Sequence, residues 1–357
     1  MPMIWAWVGF IGFVLVMLAL DLGVFHRKAH VVSVREAAGW SAVWITIGLS
    51  FSVFVYFAYN AHWFGLGNAP DPVDGLMNDG SSATEKYLTG YVVEKSLSVD
   101  NIFVISMIFG YFGVPALYQH RVLFWGILGA LAMRGGMIAL GAKLIHDFHW
   151  VLYLFAAFLI FTALKMLFSK SEFSDPGSNV IVKLARRFFP VTSHYHGEHF
   201  IVRAGEAASY EAEQPGERRE RDEIVEKAAQ GTLLLTPLAL ALIMVETTDL
   251  IFAVDSIPAI FAITGDAFLV FTSNVFAVLG LRSLYFALAG MVEKFKYLKP
   301  ALALVLLVVG VKMLLAEWLK LALGKHFNLY LLAVVFAILA GGVVASWLAA
   351  RRSPPQT

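Results

Sequence analysis

The stretches YVVEKSLSVDNIF (91–103) and VETTDLIFAVDSIPA (245–259) are degenerate copies of one motif, and their reading decides the fold. Each sets a carboxylate six residues ahead of an aspartate, Glu94 before Asp100 and Asp249 before Asp255, inside an apolar run. A polar residue follows each second acid, Asn101 in one copy and Ser256 in the other. The likeness continues downstream. GALAMRGG (129–136) answers AVLGLRSL (277–284), aligning Arg134 with Arg282, and FTALKMLF (161–168) answers VVGVKMLL (308–315), aligning Lys165 with Lys312. Each unit therefore holds three apolar runs. An odd number of crossings reverses the second copy, so the pattern predicts two inverted three-helix repeats with a site at their interface.

Composition places those runs in lipid. Of 357 residues, 59% are apolar and only 15% charged, against about 25% charged in an ordinary soluble domain. Apolar runs long enough to cross the roughly 30 Å hydrocarbon layer fall near 4–24, 39–60, 88–111, 120–141, 149–168, 232–257, 268–290, 300–318 and 328–349. Lipid offers the backbone no hydrogen-bond partner, and these runs are too long and uniform for barrel strands. The expectation is an all-α polytopic membrane protein of about nine transmembrane helices. Two N-terminal helices (1–60) and an extracytoplasmic loop (61–87) precede the first repeat (88–168). A charged cytoplasmic loop (169–230), the second repeat (231–318) and a final helix with its tail (319–357) complete the chain.

In the short loops, nine Lys and Arg fall on one side of such a bundle and four on the other. The positive-inside tendency then predicts the N-terminus outside and the C-terminus in the cytoplasm. The loop 169–230 holds 20 of the 53 charged residues and is read as a candidate site for a protein partner. Within it, IVKLARRFF (181–189) could be a surface helix, and 206–223 has the composition of a disordered segment. Between them, His194, His196, Glu198 and His199 carry metal-binding chemistry, although solvated polar residues are the plainer reading. A net charge of +1 gives no reason to expect nucleic acid as a partner. The absence of cysteine removes thiolate catalysis and Cys-based metal sites. No phosphate loop or nucleophile–histidine pair is present, so the chain is not read as an enzyme, and no permanent cofactor is expected.

Charges inside spans carry the functional argument, because each costs about 2.5–3.5 kcal/mol on insertion scales. Glu94, Asp100, Glu246, Asp249 and Asp255 all fall in the third and sixth runs, with Asp21 near the end of the first. Glu94 and Asn101 are seven apart and share a helix face, as do Asp249 and Ser256. Asp255 is off that stripe in a regular helix, but the Ser-Ile-Pro context suggests a distortion at Pro258 that would merge the faces. The set is oxygen-rich and lacks Cys or His at that depth, which fits a hard divalent cation such as Mg²⁺, Mn²⁺ or Ca²⁺. A proton relay through the same carboxylates is the nearest rival. Arg134 and Arg282 could pair with excess carboxylates, and Lys165 and Lys312 either do the same or snorkel to the surface.

These motifs, with GEHFIVR and FTSNVFAVLGLRSLYFAL, resemble the tellurium-resistance TerC/Alx family over most of the chain. The resemblance implies a bacterial inner-membrane protein of the wider lysine-exporter superfamily, associated with manganese efflux. Residues matching the family's acidic pattern are Asp21, Glu94, Asp100, Asn101, Glu246, Asp249, Asp255 and Ser256, with Asn274 and Arg282 in the following span. The expectation is a secondary transporter exporting Mn²⁺ by alternating access. The alternative is a membrane scaffold that assists stress resistance, metalation or assembly of exported proteins.

Overall fold

A computed structural model describes residues 3–20, 32–168, 180–204, 224–225, 228–289, 297–323 and 327–352. The helices are α1 (Met3–Leu20), α2 (Val34–Asn60), α3 (Gly80–Phe112), α4 (Ala116–Asp147), α5 (Val151–Phe168) and α6 (Val180–Phe188). They continue as α7 (Pro237–Phe261), α8 (Ala267–Leu279), α9 (Leu281–Leu288), α10 (Leu298–Leu314), α11 (Ala316–Leu323) and α12 (Phe327–Arg352). The protein is a polytopic helical membrane protein. Among the described residues, seven candidate spans are long and apolar enough to cross a bilayer, namely α1, α2, α4, α5, α7, α12 and the α8–α9 stretch Ala267–Leu288. The remaining two expected spans correspond to α3, which carries the acids, and to the 17-residue α10.

Three boundaries depart from the sequence reading. Helix α3 begins at Gly80 rather than near 88, because Asp79 caps it by accepting the Ser82 amide at 2.8 Å. At 33 residues it is about 50 Å long and overshoots the hydrocarbon layer. It stops at Gly113, whose φ of 67° is the left-handed conformation that ends a helix, with the Val114 amide reaching Phe109 O at 2.9 Å. Helix α7 starts at Pro237 rather than 232, because Leu233–Leu235 instead pairs antiparallel with Ile201–Arg203 as a small two-stranded sheet. The run 268–290 is broken at Gly280 into α8 and α9. There, Trp44 and the Lys95 ammonium come within 3.0 Å of where a side chain would begin.

The two three-helix units interlock reciprocally. Helix α3 packs on α7 and α8, α4 packs on α7, and α5 lies along α10. The first helix of each unit thus contacts the second helix of the other. Helices α1 and α2 cover α8 through an aromatic cluster in which the Phe51 and Phe276 rings are 4.8 Å apart. Helix α12 closes on α10, where Gly342 stands so near Ala301 that a Cβ there would come within 2.6 Å of it.

Both ends of the bundle are shaped by polar docking. At one end the 61–79 loop folds inward, burying Leu66, Asp71, Asp74 and Asn78. At the other, α6, the small sheet and residues 190–200 pack on the ends of α3, α4 and α7. Glu198 accepts from Arg121 at 2.9 Å, and the Tyr195 hydroxyl donates to Phe112 O at 2.7 Å. His196 is fully buried in this unit rather than solvated. Among the described residues no group of three His, Asp or Glu is arranged to hold a metal ion. Asp21 and the whole of 206–223 lie outside the described residues.

Candidate functional site

The intramembrane acids come together around an arginine. Arg134 projects from α4 with its side chain 2% exposed. Its Nε donates to Asp249 Oδ2 at 3.1 Å and Nη2 to Asp249 Oδ1 at 2.9 Å, the two parallel bonds that a planar guanidinium makes with a carboxylate. Its Nη1 donates to Glu94 Oε1 on α3, to Asn274 Oδ1 on α8 at 3.3 Å and to Ser256 Oγ on α7 at 3.4 Å. One cation thus gathers groups from both units. The local reason is the helical period: Asp249 and Ser256 are seven apart on α7 and face α4 together.

Glu246 borders this cluster. It sits one turn before Asp249 and against Gly129 of α4, where any Cβ would overlap its carboxylate. Among the described residues, Glu94 Oε2, Glu246 Oε2 and Asn274 Nδ2 are buried atoms with no hydrogen-bond partner. The cluster therefore keeps unspent acceptor capacity, which is costly in low dielectric.

The other expected ligands lie apart. Helix α7 stays helical through Pro258, which falls in its last turn, so the faces do not merge. Asp255 turns to α5, where Thr162 donates to it at 3.3 Å and Lys165 adds an attractive charge. Asp100 likewise leaves the Glu94 stripe and feels Lys299 at the start of α10. These contacts mirror each other: the second acid of each motif meets a cation from the third helix of the opposite unit. Asn101 is buried on the Glu94 face, about 10 Å further along α3. Arg282 is buried at the start of α9.

Sequence reading missed three cations or their roles. Lys312 does not snorkel; it is buried and donates to Ala262 O at 2.8 Å, beneath the Phe327 ring. Lys95 donates to Ala277 O at 3.0 Å and ties α3 to the end of α8. Lys86, counted among the outside loop cations, is fully buried, with Asp71 and Asp74 each at 2.8 Å and Asn78 Oδ1 at 2.7 Å. Asp71 also accepts the Thr264 hydroxyl and, at 2.8 Å, the Gly265 amide. The neighbouring Asp266 caps α8 and accepts from the Tyr59 hydroxyl at 2.8 Å. Burial pulls the Asp71 carboxyl up, but Lys86 and the hydrogen bonds prevail and hold it below the ordinary value. Burial raises the Asp266 carboxyl, and the neighbouring Asp71 adds to the rise. The signal was present as an acidic loop next to a lone lysine, but Thr264 and Gly265, which complete the cluster on Asp71, lie almost 200 residues away.

Comparison with known proteins places this arrangement among relatives. A membrane protein of Myxococcus xanthus (STKORF319) is 45% identical over 348 residues, covering 98% of this chain and 93% of that one. A proposed membrane-bound redox modulator, Alx, of Escherichia coli (strain K12) is 41% identical over 343 residues, covering 95% and 92%. A membrane protein of Rickettsia bellii is 36% identical over 341 residues, covering 96% of each chain. No solved structure matches. The model of the integral membrane protein TerC family matches residues 80–354, which include both motifs, Arg134 and the helices that surround it. The chain belongs to the TerC family of integral membrane proteins.

Proposed function

We propose that the chain is a secondary transporter that exports a hard divalent cation, with Mn²⁺ as the first substrate to test, through the carboxylates around Arg134. The observation that carries this reading is the convergence of Glu94 and Asp249, one from each unit, on a single buried guanidinium. Oxygen donors without sulfur or imidazole suit a hard ion. The reciprocal packing of the two units supports an inverted pair able to rock about that site.

In this reading Arg134 stands in for the ion. It neutralises Glu94 and Asp249 while the site is empty and must move aside for a divalent cation. The unpartnered oxygens of Glu94 and Glu246 are the added acceptors that an ion would recruit. Asp100 and Asp255, with Asn101, line the approach rather than the centre. With no cysteine, thiol exchange is not open to the chain. A redox effect of the kind in the name of Alx would run here through a transported ion or a partner.

The experiment is Mn²⁺ flux into proteoliposomes holding the full chain. Glu94→Gln and Asp249→Asn should each abolish saturable flux, and Asp100→Asn with Asp255→Asn should slow it. Flux that survives Glu94→Gln together with Asp249→Asn would overturn the site. Flux absent from the wild-type protein under an imposed proton gradient of either sign would overturn the transport reading.

A further inference from the structure

The helix α6 lies outside the cluster, and its surface is divided in a way the transport site does not use. At roughly 100° per residue, Val180, Leu184 and Phe188 fall in one arc of about 80°, and they are 75%, 48% and 69% exposed. Lys183, Arg186 and Arg187 occupy a second arc of about 100°, and all three are exposed. Between these arcs, Val182 is buried in a cluster that includes Phe112, Leu238 and Ala241, and Ala185 packs against the cluster of Leu235, Ala239 and Leu240. The helix is thus anchored by its third side to the first turns of α7, in a cluster that also takes in the last turn of α3. The apolar runs end and begin near those turns, which puts α6 by length and composition close to the depth of the headgroups. Among the described residues no acidic side chain forms an ion pair with its three cations.

We propose that α6 is an interfacial helix that reads anionic phospholipid on the surface of the membrane the chain spans. Val180, Leu184 and Phe188 enter the upper acyl region, and Lys183, Arg186 and Arg187 meet the negative headgroups. Charge complementarity selects this occupant: an apolar stripe flanked by cations is the form that binds anionic bilayers at their surface. Each cation near such a surface favours it by about fivefold. The inference is independent of the transport reading.

The chain has no cysteine, so one introduced thiol reports without background. Leu184→Cys and, separately, Val180→Cys would carry an environment-sensitive fluorophore. The full chain would be reconstituted in vesicles of phosphatidylcholine alone or mixed equally with phosphatidylglycerol, each containing acyl-brominated lipid. Quenching should be at least about twofold stronger with phosphatidylglycerol, and the difference should vanish in Lys183→Gln/Arg186→Gln/Arg187→Gln. An unaltered thermal transition would show that this variant remains folded. A reporter shielded from brominated lipid in both vesicles, by another segment or a second copy, would overturn the proposal. Equal quenching in both would also overturn it, since the cations would then read nothing.

Discussion

Arg134 and Asp249 form a two-bond fork, 2.9 and 3.1 Å, across the boundary between the two three-helix units. The arginine belongs to the second helix of the first unit and the aspartate to the first helix of the second. Glu94 closes the arrangement from the other side. A buried pair of this kind is weak evidence for net stability, but removing one partner leaves an uncompensated charge, which costs about 3–5 kcal/mol.

That asymmetry makes the first prediction. Arg134→Gln should lower the thermal midpoint of the purified protein sharply, by an amount corresponding to about 3–5 kcal/mol. Adding Glu94→Gln and Asp249→Asn to it should restore much of the loss. A triple variant as unstable as Arg134→Gln alone would show that the guanidinium matters for packing rather than charge. Arg134→Lys keeps the charge without the fork and should fall between.

The Gly129 position separates the proposed ion path from the fold. A Cβ at 129 meets the far end of Glu246, which can swing away. Gly129→Ala should therefore change the thermal midpoint little while reducing Mn²⁺ flux several-fold. A normal flux would remove Glu246 from the site.

Lys86 should act as the clasp of the 61–79 loop. Lys86→Met leaves Asp71 and Asp74 buried without their cation, at a cost of about 3–5 kcal/mol. Limited proteolysis should then cut between 66 and 79, a segment expected to resist cleavage in the wild type. Unchanged protection would mean that Thr264 and Gly265 hold the loop on their own.

The same loop sets a pH dependence with two limbs. Asp266 is raised above the ordinary 3.8, so the folded state takes up its proton first, and stability climbs as pH falls from neutrality through that raised value. Asp71 is lowered, so its contribution is present above 3.8 and is lost as pH falls further, through its folded value. Thermal midpoints against pH should peak on the acid side of neutrality. Asp266→Asn should remove the rising limb and Asp71→Asn the falling one, and a profile unmoved by both would deny the assignment.

Close helix contact at Gly342 is a purely steric case. Gly342→Val would push a side chain into Ala301 and the Tyr297 carbonyl, both backed by α10. Overpacking of this kind costs about 1–3 kcal/mol, readable as a lower midpoint. Gly341→Ala, which faces open space, should leave it unchanged and serves as the control.

Much of this was legible in the chain itself. Low charge and long apolar runs determine a helical membrane protein, because lipid cannot solvate a backbone. The seven-residue spacing put Glu94 with Asn101, and Asp249 with Ser256, on common faces, and internal repetition paired Arg134 with Arg282. The 3.6-residue period is local physics and needs no partner. What it could not decide was which faces meet. Asp100 and Asp255 looked equal to Glu94 and Asp249, yet each is turned to a cation on the opposite unit's third helix. Lys86 looked like a loop cation until it met Asp71 and Asp74 and a segment near 264 closed over Asp71. In each case the deciding term is Coulombic and strong only where water is excluded, and only the packed helices exclude it.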